Sequence, residues 1–209
     1  MEKIDLTKQY KPYYSAKTKP EIIEFESARY ISICGKGDPS GEAFSADIQK
    51  LYPVAYAIKF VCKALGKDFA VPKLEGLWWF DEQKYGDFTP AEAPQKVPRE
   101  VWEYRLLLRM PDFVDEKMVA AAAMSVASKK KIPGVERVQF FTLTEGKCIQ
   151  MMHLGPYAEE PVTLQKIMEF SAANGLVKNG LHHEIYLSDF RKTAPEDLKT
   201  ILREPVRSI

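Results

Sequence analysis

Strand, helix, strand, strand: the chain spells this order twice, over residues 29–110 and again over 147–206, and any fold must accommodate both copies. In the first, Tyr30-Ile31-Ser32-Ile33-Cys34 supplies the β-formers of a strand over Arg29–Gly35. Gly37, Pro39 and Gly41 then turn the chain into a helix from Glu42. Phe44, Ile48, Leu51, Ala55, Ile58, Cys62 and Leu65 form its apolar stripe, and Gly66 stops it. Pro53 inside this run predicts a bend or a break. Strands follow at Leu74–Asp81 and Val101–Met110, separated by a long loop, Gln83–Arg99, that carries three prolines. Loops of that length in compact domains are often functional.

Asp112–Lys130 reads as a connecting helix ending in a solvated Lys129-Lys130-Lys131 run. Val135–Leu143 and Lys147–Leu154 read as a hairpin turned by Thr144-Glu145-Gly146. The second copy continues with a helix over Glu159–Asn174 and strands over Glu184–Ser188 and Lys199–Val206. Residues 1–20, with Pro12 and Pro20, read as an extended lead-in. Ile31-Ser32-Ile33-Cys34-Gly35 aligns with Ile149-Gln150-Met151-Met152-His153. Leu77-Trp78-Trp79-Phe80-Asp81 aligns with Ile185-Tyr186-Leu187-Ser188-Asp189. The expected architecture is α+β: two strand-helix-strand-strand (SHS2) modules about a pseudo-twofold axis, with a central ligand groove. The modules span about 29–110 and 135–206, joined by the helix 112–130.

Composition removes several function classes. With 30 basic and 29 acidic residues the net charge is +1, which gives no clustered positive charge for direct nucleic-acid binding. No apolar stretch approaches the roughly 20 residues that span a bilayer. The first residues lack a secretory h-region, and Cys34, Cys62 and Cys148 are widely spaced, so a cytoplasmic protein with free thiols is expected. No metal-ligand spacing and no glycine-rich phosphate loop occur, so neither metal nor cofactor is expected. The oligomeric state stays open. What stands out is the set of 3 Trp, 10 Tyr and 11 Phe, which suits a flat aromatic or amphipathic small molecule better than a polyanion.

Glu184 is the sharpest chemical candidate. It alternates with Ile185 and Leu187, whose face is expected under the helices, so Glu184 and Tyr186 should point into the groove. A carboxylate on a solvated sheet face would read the same way. Set among aromatic rings, it could instead attract a cation or deprotonate a water. Trp78 and Trp79 are adjacent, so only one can line the groove; the alignment with Tyr186 favours Trp78, and a one-residue slip would exchange them. Trp102 and Tyr104 share one face of the next strand. His153 and Tyr157 flank Gly155-Pro156 at a strand-to-helix turn, where either could cap the turn or offer a hydrogen bond to a ligand.

At these residues the chain resembles a known family. Gly146–Pro205, with His153-Leu154-Gly155-Pro156-Tyr157 and His183-Glu184-Ile185-Tyr186-Leu187-Ser188-Asp189, is similar to the GyrI-like small-molecule-binding domain. Gly35-Lys36-Gly37-Asp38-Pro39, Leu74-Glu75-Gly76-Leu77-Trp78-Trp79 and Val101-Trp102-Glu103-Tyr104 carry a closer likeness to its stand-alone bacterial branch. The resemblance covers residues 21–209 as a single domain. It implies an aromatic pocket with a glutamate at its base, here Glu184. Members of that branch open the cyclopropane of DNA-alkylating drugs of the yatakemycin and duocarmycin type. Carried over, Glu184 would be the general base, Trp78, Trp79, Trp102, His153, Tyr157 and Tyr186 would bind the ligand, and Tyr104 is the candidate donor to the dienone oxygen. The alternative is a non-catalytic module that sequesters amphipathic or cationic drugs. The family's transcription activators carry a helix-turn-helix for which no room exists before Tyr30, so direct transcriptional control is not expected.

Overall fold

The computed structural model describes residues 3–209. Nine strands lie among these residues: β1 (Glu21–Phe25), β2 (Ala28–Lys36), β3 (Leu74–Trp79), β4 (Glu103–Met110), β5 (Gln139–Leu143), β6 (Gly146–Leu154), β7 (Leu176–Lys178), β8 (His182–Tyr186) and β9 (Lys199–Ser208). The helices are α1 (Leu6–Gln9), α2 (Glu42–Ala64), α3 (Glu82–Tyr85), α4 (Ala93–Lys96), α5 (Glu116–Lys130) and α6 (Glu160–Ala173). The sheet runs β1-β6-β9-β8-β3-β4-β2-β5, with β7 beside β9. No helix among the described residues is long and apolar enough to cross a membrane.

Two modules meet where β3 pairs with β8, and one rung shows their symmetry. It runs Ile33–Leu106–Gly76–Glu184–Leu202–Met151, with Gly76 facing Glu184 at the centre. Ile33 therefore corresponds to Met151 and Gly76 to Glu184, the offsets of the sequence alignment. On the same face α2 and α5 cover the first module, through Ile31, Ile33, Leu106 and Leu108, while α6 covers Ile149, Met151 and Leu202 in the second. Helices of the two modules flank the junction strands and leave a trough over β3 and β8.

The expected hairpin at Thr144-Glu145-Gly146 does not form. β5 pairs with β2, and β6 pairs with β1 and β9, so residues 139–143 complete the first module's sheet and 21–25 the second's. Only two residues separate Leu143 from Gly146, a reach of about 11 Å. In a flat sheet β5 and β6 would stand six strand spacings apart, about 29 Å. The same mismatch holds between Phe25 of β1 and Ala28 of β2. The sheet is therefore curled, bringing its two ends together.

The lead-in is not simply extended: it contains α1, capped by the Asp5 carboxylate on the Thr7 amide at 3.0 Å, and it plugs the curled sheet. Tyr13 alone touches four strands. Its ring lies 5.3 Å from Phe25 of β1, its hydroxyl bonds Tyr30 of β2 (2.7 Å) and Glu75 of β3 (2.6 Å), and its carbonyl accepts from Arg203 of β9 (2.8 Å). This is also where Ile185 goes, packed with Leu6, Tyr13 and Ile201; its expected place under the helices is taken by the face that carries Glu184. Pro53 neither splits nor ends α2, which is continuous from Glu42 to Ala64. The buried stripe Phe44–Ile48–Leu51–Ala55–Ile58–Cys62 outweighs one missing hydrogen bond.

Candidate functional site

The trough over the β3–β8 junction is a cavity of about 470 Å³, a volume suited to a drug-sized molecule. Alternation along β8 aims His182, Glu184 and Tyr186 into it and His183 and Ile185 away. From β3 Leu74 and Trp78 lie on the same face, and between them Gly76 has no side chain. A Cβ there would come 2.9 Å from Trp78 Nε1 and 3.1 Å from the Tyr186 hydroxyl. Trp78 and Tyr186, which occupy matching positions in the two modules, are thus free to meet, and Trp78 Nε1 donates to the Tyr186 hydroxyl at 3.1 Å. Gly76→Ala should push these rings apart at a cost of about 1–2 kcal/mol. The expected readout is a roughly tenfold weaker affinity for an aromatic ligand and a shifted tryptophan emission; an unchanged affinity would show that the contact is dispensable.

The walls are aromatic and come from both modules. Phe44 of α2 stacks on Trp78 at 5.6 Å between centroids and 24° between planes. Trp102 meets Trp78 edge-on at 6.5 Å, and its indole N–H donates to the Val97 carbonyl at 3.3 Å. Tyr157 sits 6.0 Å from Tyr186 and nearly perpendicular to it. The proline-bearing loop contributes Phe88, Pro90 and Pro94, so its length does build the site. Such edge and offset arrangements present both ring faces and ring edges to a flat ligand.

A polar line crosses the floor. The Tyr186 hydroxyl donates to Glu184 Oε2 at 2.6 Å, and His182 Nε2 lies 3.2 Å from Glu184 Oε1. On its other side, His182 Nδ1 is 2.5 Å from Glu204 Oε1. Burial works against a charged imidazole, but Glu204 and Glu184 on either side raise the His182 pKa well above its usual value and favour the imidazolium. The Tyr186 hydroxyl is held neutral, first by burial and then by Glu184. Tyr157 is pushed up likewise, by burial, Glu184 and Glu160. Glu184 is thus fixed by two donors while it lines the cavity.

Of the residues singled out from sequence, Glu184, Trp78, Trp102, Tyr157 and Tyr186 converge here. Trp79 touches the cavity but packs with Leu77 and Leu107 on the opposite face. Tyr104 and His153 are not brought in. The Tyr104 ring lies over Gly35, its partner across the ladder, where a Cβ would approach it to 2.3 Å. Its hydroxyl donates to Asp47 of α2 at 3.0 Å, so it supports Phe44 and Trp78 from behind and has no path to a ligand. His153 is buried between Thr163 (2.9 Å) and the Pro156 carbonyl (3.1 Å), where it ties the strand-to-helix turn.

Three participants were not singled out from the sequence. His182 and Glu204 belong to the floor, and Glu160, in the first turn of α6, is buried with Oε1 unpartnered and faces the same space. Alternation from Glu184 could have found His182; the other two depend on how β9 and α6 dock.

A family model for the GyrI-like small molecule binding domain matches residues 18–207. Among solved structures, a conserved protein of uncharacterised function from Listeria innocua is 40% identical over 98% of this chain and 100% of its own, with a TM-score of 0.87. Two structures of a hydrolase from Listeria innocua are each 38% identical, cover 98% and 99% of this chain and all of their own, and have TM-scores of 0.83 and 0.84. The C-terminal domain of EcmrR shares the fold at 13% identity, with a TM-score of 0.55. Among proteins of curated function, none matches in sequence. Module repeat, junction cavity and family match agree, and the chain belongs to the GyrI-like small-molecule-binding domain family.

Proposed function

We propose that the protein is a cytoplasmic hydrolase that opens the cyclopropane of DNA-alkylating drugs of the yatakemycin and duocarmycin type and so protects the cell. The observation that carries this reading is one carboxylate, Glu184, oriented by Tyr186 and His182 on the floor of a cavity with aromatic walls. The 38% identity to proteins described as hydrolases supports it. In this reading Trp78, Phe44 and Trp102 stack the flat drug, and Glu184 takes a proton from the water that attacks the strained ring. Two donors on Glu184 leave it further lone pairs for that water.

A second reading has one observation in its favour. Both Glu184 oxygens already have partners, as suits a fixed counter-charge in a binding module for cationic aromatic drugs. Incubation with a cyclopropyl-dienone alkylator, following loss of its chromophore and quenching of tryptophan fluorescence, separates the two. The expected result is catalytic turnover, with Glu184→Gln lowering kcat about 100-fold or more while quenching persists. Quenching without turnover would leave the binding module; full activity of the Gln variant would remove Glu184 as base.

A further inference from the structure

We infer that Glu160 is the cavity's proton donor: a neutral carboxyl that hydrogen-bonds the ligand oxygen on which negative charge develops, and then protonates it. This rests on the hydrolase reading and supplies the acid that a base at Glu184 requires. Glu160 opens α6, is only 8% exposed, and lines the cavity with Glu184, His182 and Tyr157. Its Oε1 is buried with no hydrogen-bond partner. A buried carboxylate without a partner is far more costly than a buried neutral acid, so the unpartnered Oε1 marks a group built to be neutral, while the residue itself lines the space a ligand would fill.

The surrounding charges compete. His182 of β8, Arg99 ahead of β4 and the N-terminal end of α6 all favour the anion, and Lys178 at the rim is paired with Glu82 at 2.7 Å. Burial, followed by the charge of Glu184, outweighs them and raises the Glu160 pKa well above the carboxylate range. Tyr157 and Tyr186, both neutral, add no charge. Two carboxyl groups of opposite protonation facing one space are the arrangement that divides acid from base.

For a cyclopropyl dienone the step balances without a co-reactant. Water gives a proton to Glu184 as its oxygen bonds to the ring carbon. The cyclopropane carbon–carbon bond breaks, and its electron pair passes through the conjugated ring to the dienone oxygen. Glu160 protonates that oxygen, giving a phenol, and the proton on Glu184 returns to Glu160 through solvent. Tyr104, bonded to Asp47 outside the cavity, has no part in this.

Glu160→Gln keeps the shape and a hydrogen-bond donor but has no proton to give. With the same alkylator, kcat should fall about 100-fold, wild type should lose activity at high pH while E160Q should not, and fluorescence quenching should change less than about threefold. Infrared difference spectra of wild type against E160Q at neutral pH should show a protonated carboxyl band that persists in Glu184→Gln. No such band, or an E160Q pH profile equal to that of an active wild type, overturns the role of Glu160 alone. A wild type without turnover overturns the hydrolase reading, and the proton transfer with it.

Discussion

Arg203→Ala should lower the free energy of unfolding by about 3–5 kcal/mol, because it breaks a fully buried, multiply hydrogen-bonded ion pair from one side. Arg203 is completely buried inside the curled sheet. It donates to Glu145 Oε2 at 2.9 Å, to Gln150 Oε1 at 3.3 and 3.1 Å, and to the Tyr13 carbonyl at 2.8 Å. Its guanidinium also lies 3.9 Å over the Phe25 ring and 4.3 Å over Tyr13. One side chain thus fastens the N-terminal segment, the link between β5 and β6, and strand β1 onto β9. Removing it leaves Glu145 with His183 as its remaining charged partner, takes the donors from Gln150 Oε1 and the Tyr13 carbonyl, and empties a large volume. For a chain of this size the melting temperature should fall by about 6–20 °C. Denaturant titration measures the loss, and a value under about 1 kcal/mol would mean that this network does not hold the fold.

The same cluster sets an acid limit. Burial alone would raise the Glu145 pKa, but His183 (2.8 Å) and Arg203 hold it down at about 2, against 4.5 for the free group. The folded value is the depressed one, so its contribution is complete above about pH 4.5 and is lost as pH falls through about 2. That difference amounts to on the order of 3 kcal/mol. His183 acts in the opposite sense. Burial opposes its charge, while Glu145 and Glu75 raise its pKa, so its contribution is complete below about pH 6.5 and is lost as pH rises through the folded value. Thermal unfolding across pH 2–9 should therefore show an acid decline below pH 4.5 that Glu145→Gln flattens. A Gln variant with the wild-type acid decline would assign that limb to other carboxylates.

Much of this was legible in the residues. Alternation in His182-His183-Glu184-Ile185-Tyr186 placed Glu184 and Tyr186 on one face, and the repeat put Trp78 opposite Tyr186, where the two now bond. Closure of the sheet was not legible. Thr144-Glu145-Gly146 has the local chemistry of a hairpin turn, and nothing nearby reports that β5 belongs to β2 and β6 to β1. That same gap misplaced Ile185: with no inner surface foreseen, an apolar residue could only be assigned to the helices. Tyr104 reads like any wall aromatic until Asp47, 57 positions away in sequence, claims its hydroxyl. Glu160 reads as an ordinary acidic residue in a first helical turn, and only the docking of α6 onto β6, β7 and β9 gives it a buried oxygen.

The two-residue links at Phe25–Ala28 and Leu143–Gly146 also determine how the molecule can be made. Each module's outer strand is delivered by chain that runs on into the other, so cutting between the modules yields two incomplete sheets. On a ribosome β1 leaves the tunnel early, yet its partner β6 comes more than a hundred residues later, and β9, which clamps Tyr13, is the last strand to emerge. Such distant pairings fold slowly and leave strand edges open to other chains meanwhile. A nascent chain stalled before Lys199 should be protease-sensitive along its whole length, and resistance should appear in one step once β9 is free.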